Sequence, residues 1–97
     1  MKTITLIIDG NNFYDLDSFY NEIDNVFIEI IGFETGHNFD AFNDILSGGF
    51  GIFTHEDSIN LIWKNFNKSK NDLNKDDIEI LLDIINDSDH IIFTTED

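Results

Sequence analysis

The chain has 97 residues, 41% of them hydrophobic with ten Phe, which is enough for one packed core and too little for two. It contains no Cys, which excludes disulfides, thiolate zinc sites and thiol nucleophiles. Twenty acidic residues against five lysines and no arginine give a net charge of −15, a field that repels nucleic acid and anionic lipid and attracts a partner rich in Lys and Arg.

The charge is also uneven. Between Thr3 and Asn60 there are eleven acids and not one cation, whereas four of the five lysines fall between Lys64 and Lys75. Acidity can also do no more than keep a protein soluble, so charge alone does not assign a partner. Thr3 to Ile8 is too short an apolar run for a signal-peptide core and lacks a small-residue cleavage site, and no stretch approaches a membrane span. A cytoplasmic single domain over residues 1–97 is the expectation.

Thr3 to Ile8 is apolar and β-branched, and Asp9-Gly10-Asn11-Asn12 stops it: a strand running into a turn. Leu16, Phe19, Tyr20, Ile23, Val26 and Phe27 keep helical spacing, with Asp15 or Asp17 as N-cap. Gly32 to His37 reads as loop. Asn38 then caps a short helix to about Leu46, which Ser47-Gly48-Gly49 ends with a left-handed stop. Gly48 to Asp57 is a connection. Ser58 to Trp63 is a second strand, and Lys64 to Asn71 a short helix or a turn. Asp76 or Asp77 opens a helix with Ile78, Leu81, Leu82 and Ile85 on its apolar side, and His90 to Thr95 forms a third strand. Alternating strands and helices predict an α/β domain: a three-stranded parallel sheet with about four helices packed on it.

The helix from Asn38 to Leu46 breaks two local rules. Phe39, Phe42, Ile45 and Leu46 form its apolar side, which leaves Asp40, Asn43 and Asp44 together on another face. Asp40 and Asp44 are four apart, so they are like-charged neighbours. Asp44 also sits in the last turn, where the helix dipole opposes a negative charge. Placements against local preference collect at functional sites, although an ordinary solvated face of an acid-rich protein explains them equally. A catalytic carboxylate pair is not supported, because no residue pattern supplies a desolvating pocket, an Arg or an oxyanion donor.

Other candidate chemistry is thinner. Thr5 to Asn12, with its D-G-N-N turn, resembles the opening strand of NYN/PIN-type metal-dependent nucleases, in which an Asp at the strand end, here Asp9, helps to hold a divalent cation. The competing reading is a plain strand-to-turn transition, favoured by the acidity and the short chain. His37, His55 and His90 lack ligand spacing and read as loop or solvent histidines. None of the serines has a nucleophile-elbow context, and Gly48-Gly49-Phe50-Gly51 lacks the ending of a phosphate loop. No metal, cofactor or small-molecule substrate is expected.

Two motifs carry a family resemblance. Gly36-His37-Asn38-Phe39-Asp40-Ala41-Phe42-Asn43-Asp44-Ile45-Leu46 resembles the G-x-N-x-D-A-x-x-D-x-L helix of the barstar family. Trp63-Lys64-Asn65-Phe66-Asn67-Lys68-Ser69-Lys70 resembles that family's W-x-x-F-x-x-S-K segment after the second strand. With the flanking strands and helices the resemblance spans roughly residues 4 to 93. Members of the family are intracellular inhibitors of barnase-type ribonucleases, often immunity proteins or antitoxins.

The resemblance implies that the second helix and the loop before it plug a basic ribonuclease active site. Asp44 would stand where a substrate phosphate lies, and Asp40 would face a second basic side chain. Glu34, Thr35, Gly36, His37, Asn38 and Asn43 would complete the surface, with Asp87 as an acidic contact from the last helix. The chain departs from the family's prototype in two places. Asn43 replaces an aromatic residue, and Glu34 or Thr35 replaces a loop Tyr. An acidic module that binds some other basic protein is the third reading.

Overall fold

The computed structural model describes residues 3–31, 36–46, 58–88 and 90–97. Its strands are β1 (Thr3–Asp9), β2 (Ser58–Lys64) and β3 (Ile91–Thr95), and its helices are α1 (Leu16–Ile31), α2 (Phe39–Leu46), α3 (Phe66–Asp72) and α4 (Lys75–Asn86). A 3-10 turn, Gly10–Asn12, follows β1 directly. The strands are parallel in the order β1-β2-β3, with Leu6 beside Leu61 and Leu61 beside Phe93. This is the predicted α/β architecture of three parallel strands and four helices.

Strand side chains alternate between the two faces of the sheet. One face carries Leu6, Ile8, Ile59, Leu61 and Trp63, all buried, with Ile4, Ile91 and Phe93 packed against them. On the other face Thr3, Thr5, Ile7, Ile92 and Thr94 are exposed. Helix α1 supplies Phe19, Tyr20, Ile23 and Phe27 to the core, α2 supplies Phe42, Ile45 and Leu46, and α4 supplies Ile78, Leu81 and Ile85. Each apolar side chain buried in full contributes about 1.5–3 kcal/mol, so three short apolar stripes suffice to hold the helices on the sheet.

Trp63 is the centre of this core. Phe19 stacks on its ring at 5.5 Å, and Phe13, Phe66 and Phe93 meet it edge-on. Its indole N–H donates to Ser69 Oγ at 3.0 Å, both groups being buried. The W-x-x-F-x-x-S spacing is thus a packing rule, placing the ring, its edge-on neighbour and its hydrogen-bond acceptor.

Local details refine the sequence reading. Asp15 caps α1, accepting from Ser18 N–H at 2.8 Å, and the helix continues past Phe27 to Ile31. Of the segment Lys64 to Asn71, Lys64 ends β2 and Phe66 onward is helix α3. Asn74, rather than Asp76 or Asp77, caps α4: its side chain accepts from Asp76 N–H, which leaves the two aspartates in the first turn where the dipole favours them. His90 lies one residue before β3, although its carbonyl still accepts from Ile59 N–H at 2.9 Å. The expected helix stop at Ser47-Gly48-Gly49, the Gly48–Asp57 connection and His55 lie outside the described residues. No helix among the described residues is long and apolar enough to cross a membrane.

Candidate functional site

Helix α2 is fixed by its apolar side. Phe42, Ile45 and Leu46 are buried, Phe42 meeting Phe19 edge-on at 5.5 Å, and α2 packs against α4. Helical geometry then turns Asp40, Asn43 and Asp44 outward, and all three are exposed. The ion pairs of the described residues join His37 to Asp17 and Asp24, and Lys68 to Asp72; neither Asp40 nor Asp44 takes part. The described lysines stand on β2, α3 and the first residue of α4. The α2 carboxylates therefore offer their oxygens to solvent.

The start of α2 is built from Gly36, His37 and Asn38. Asn38 Oδ1 accepts from Ala41 N–H at 2.8 Å, Asn38 O accepts from Phe42 N–H at 3.2 Å, and Asn38 N–H donates back to Gly36 O at 2.8 Å. A Cβ on Gly36 would come within 3.3 Å of Asn38 Nδ2, a tight contact that the capping side chain would have to yield to by a few tenths of an ångström. The G-x-N spacing thus places the cap two residues after the carbonyl that its own N–H bonds.

His37 lies in the loop before α2 and is exposed, as its sequence context suggests, but its ring has partners. Its Nε2 lies 2.8 Å from Asp24 Oδ2, its Nδ1 lies 4.0 Å from Asp17 Oδ1, and its ring stacks on Tyr20 at 5.7 Å. Asp24 went unnoticed in the sequence, although its position held a signal. It follows Tyr20 by four and precedes Phe27 by three, on the edge of α1's apolar stripe. Glu22, also buried, accepts from Asp9 N–H at 2.9 Å and from the Asn12 side chain.

Of the remaining predicted residues, Asp87 is the exposed C-cap of α4, its N–H donating to Asp83 O at 3.0 Å. Its link to the α2 acids is the packing of α2 on α4. Glu34 and Thr35 lie outside the described residues.

Asp9 has a structural occupation. Its Oδ1 accepts from Asn11 N–H at 2.9 Å and from Asn65 Nδ2 at 2.8 Å, and these two bonds, Asn11 first, hold its carboxyl below the ordinary range. Gly10 lies so close to the β2–α3 junction that a Cβ there would come within 2.6 Å of both Ser69 Oγ and Asn65 O. Lys68 Nζ closes the same corner by donating to Gly10 O, Phe13 O and Asp72. The D-G-N-N turn is thus a joint between β1, β2 and α3. Among the described residues no group of three His, Asp or Glu is placed to hold a metal ion.

No curated protein matches the chain. The family model Barstar (barnase inhibitor) matches residues 3–93, from the first residue of β1 to the middle of β3. That match runs through both motifs, the capped acidic helix and the tryptophan-centred core. The chain belongs to the barstar family, whose members are ribonuclease inhibitors rather than enzymes.

Proposed function

We propose that this protein inhibits a basic, barnase-type ribonuclease by seating α2 and the loop before it in the enzyme's active site. The observation that carries the reading is the outward pair Asp40 and Asp44. Both are exposed on a helix whose opposite side is core, and neither is paired with a cation among the described residues. A ribonuclease active site is an array of cations preorganised for phosphate. Two carboxylates on a rigid helix present acceptor oxygens to those cations, and an arginine fork binds such oxygens in charge-assisted pairs. The inhibitor needs no chemistry of its own.

Asp44 takes the position of a substrate phosphate and Asp40 pairs with a second basic group. Asn43, Gly36, His37, Asn38, Glu34 and Thr35 form the surrounding surface, and Asp87 adds an acidic contact from α4. Asn43 is polar and exposed where the family prototype has an aromatic anchor, so the preferred enzyme differs from barnase in the pocket that faces it. Protection of the producing cell, as a cytoplasmic immunity protein or antitoxin, is the biological role that fits an occluding inhibitor of a toxic enzyme.

The test is inhibition of a panel of barnase-type ribonucleases by the wild-type protein and by Asp44→Ala. For the true partner the substitution weakens binding by at least ~2 kcal/mol, the general hot-spot threshold, for which barnase and barstar are themselves a reference case. Association slows steeply as salt rises, because the attraction is between exposed opposite charges. If Asp44→Ala inhibits as well as wild type, the decoy site is wrong. Purified protein that cuts RNA in magnesium, with turnover lost in Asp9→Ala, returns the nuclease reading.

A further inference from the structure

Helix α2 has only eight residues, too few to be stable in isolation, so its position must come from what it is fastened to. Its apolar side anchors its middle and end. Its beginning, where Asp40 sits, is fastened elsewhere. Three residues of α1, spaced i, i+3 and i+7 along one stripe, close on His37: Asp17, Tyr20 and Asp24.

The Asp24 contact is the informative one. Its side chain is only 8% exposed, so no partner can touch it, yet its carboxylate receives His37 Nε2 at 2.8 Å. An ionised carboxylate acts only as an acceptor, so in that state of Asp24 the bond is donated by His37 Nε2–H. Burying a carboxylate is costly unless it is hydrogen-bonded. His37 is 33% exposed and immediately precedes Asn38, the residue that caps α2. The ring also lies nearly flat on Tyr20, at 24°, and Tyr20 in turn meets Phe39 edge-on at 6.4 Å. Both sides of the cap are thus tied to one turn of α1.

We infer that His37 and Asp24 form a clamp that presets the first turn of α2, so that a buried residue outside the interface controls how tightly the acidic face binds. Asp24 is in this sense a positioning residue, acting through His37 and Asn38. The consequence for binding rests on the inhibitor reading; the clamp itself does not. Fixing a recognition element in its bound geometry raises affinity by removing the ordering cost, and affinity falls in proportion to the competent fraction.

The experiment compares His37→Phe, Asp24→Asn and Asp24→Ala with wild type in two measurements. The first is amide hydrogen exchange of the free protein, with Ala41 and Phe42 reporting on the first turn of α2 and Leu61 and Trp63 on the sheet. The second is inhibition of a barnase-type ribonuclease that the wild-type protein inhibits. His37→Phe keeps a ring over Tyr20 and loses the hydrogen bond. It should speed exchange at Ala41 and Phe42, spare Leu61 and Trp63, and raise the Kd about tenfold, and Asp24→Ala, which leaves His37 in place on the proposed surface, should do the same. Asp24→Asn keeps an acceptor oxygen and should restore both values to within about threefold of wild type. If Asp24→Ala does not fold, His37→Phe and Asp24→Asn still decide. Unchanged exchange at Ala41 and Phe42 in His37→Phe, or equal loosening of the sheet, overturns the clamp. A loosened α2 with wild-type affinity overturns its role in binding. If no ribonuclease is inhibited by wild type, the inhibitor reading fails while the exchange data still judge the clamp.

Discussion

Trp63 and Ser69 are joined by a buried hydrogen bond of 3.0 Å, from the indole N–H to the hydroxyl oxygen, that ties β2 to α3 at the centre of the molecule. The same hydroxyl is the atom that an added methyl group on Gly10 would strike at 2.5 Å. One small polar group thus orients the tryptophan and, with Asn65 O, restricts the residue that follows β1.

Ser69→Ala leaves the indole N–H buried and unsatisfied, and should cost about 1–3 kcal/mol in urea unfolding. Gly10→Ala should also destabilise the fold. The double substitution should not restore it, because Asn65 O would still lie 2.6 Å from the new methyl group. Recovery of wild-type stability in the double variant would remove the crowding argument.

Asp44 is placed against its own helix, so stability and binding should separate there. Asp44→Asn removes a like-charged neighbour of Asp40 and a negative charge from the last turn of α2. The free protein should gain a few tenths of a kcal/mol, roughly 0.2–0.8, while inhibition of its ribonuclease weakens. Thermal unfolding beside an inhibition assay reads both; loss of stability together with binding would make Asp44 a structural residue.

Tyr20 carries a buried hydroxyl with no hydrogen-bond partner among the described residues, and burial, then the nearby Asp77 carboxylate, push its pKa up to about 12. Tyr20→Phe should therefore leave stability near wild type or raise it, since no bond is lost. The pH dependence has a definite sign. The unfolded chain ionises this tyrosine near its ordinary pKa of about 10, whereas the folded protein keeps the proton to about 12. Stability from this group is whole below about pH 10 and is lost as pH rises through that window. Alkaline unfolding followed by circular dichroism should be less steep in Tyr20→Phe.

At the acid end the sign is reversed. Asp9 is held low by Asn11 N–H and Asn65, and Asp15 by the hydroxyl and N–H of Ser18. Their contribution is complete above about pH 3.9, the unfolded value, and disappears as pH falls through the lower folded values. Protonation of the other acids works the opposite way by relieving the repulsion of a −15 chain, so the informative quantity is a difference between variants. The melting temperature of Asp9→Asn/Asp15→Asn should fall less than wild type between pH 5 and pH 2, read by a thermal melt at each pH.

Much of the fold is written in local pattern. The apolar spacing of α1, α2 and α4, the β-branched runs of the strands and the caps Asp15 and Asn38 are visible because periodicity and capping depend on neighbours a few residues away. The outward pair Asp40 and Asp44 is legible for the same reason: once Phe42, Ile45 and Leu46 are assigned to the core, helical geometry leaves those acids nowhere else to point. At α4 local pattern points to Asp76 or Asp77 and the cap is Asn74, since Asn and Asp cap equally well and only the backbone path selects between them.

What only the tertiary structure decided are relationships between residues distant in sequence. Asp24 and Glu22 sit at the edges of α1's apolar stripe, where burial depends on what crosses over them: His37 for one, and the β1 turn for the other. Asp9 and Gly10 read locally as a turn with a cation-binding look, and become a joint only when Asn65 and Ser69 arrive more than fifty residues later. Periodicity records which face of an element is apolar; which polar groups are then covered is settled when two such faces meet.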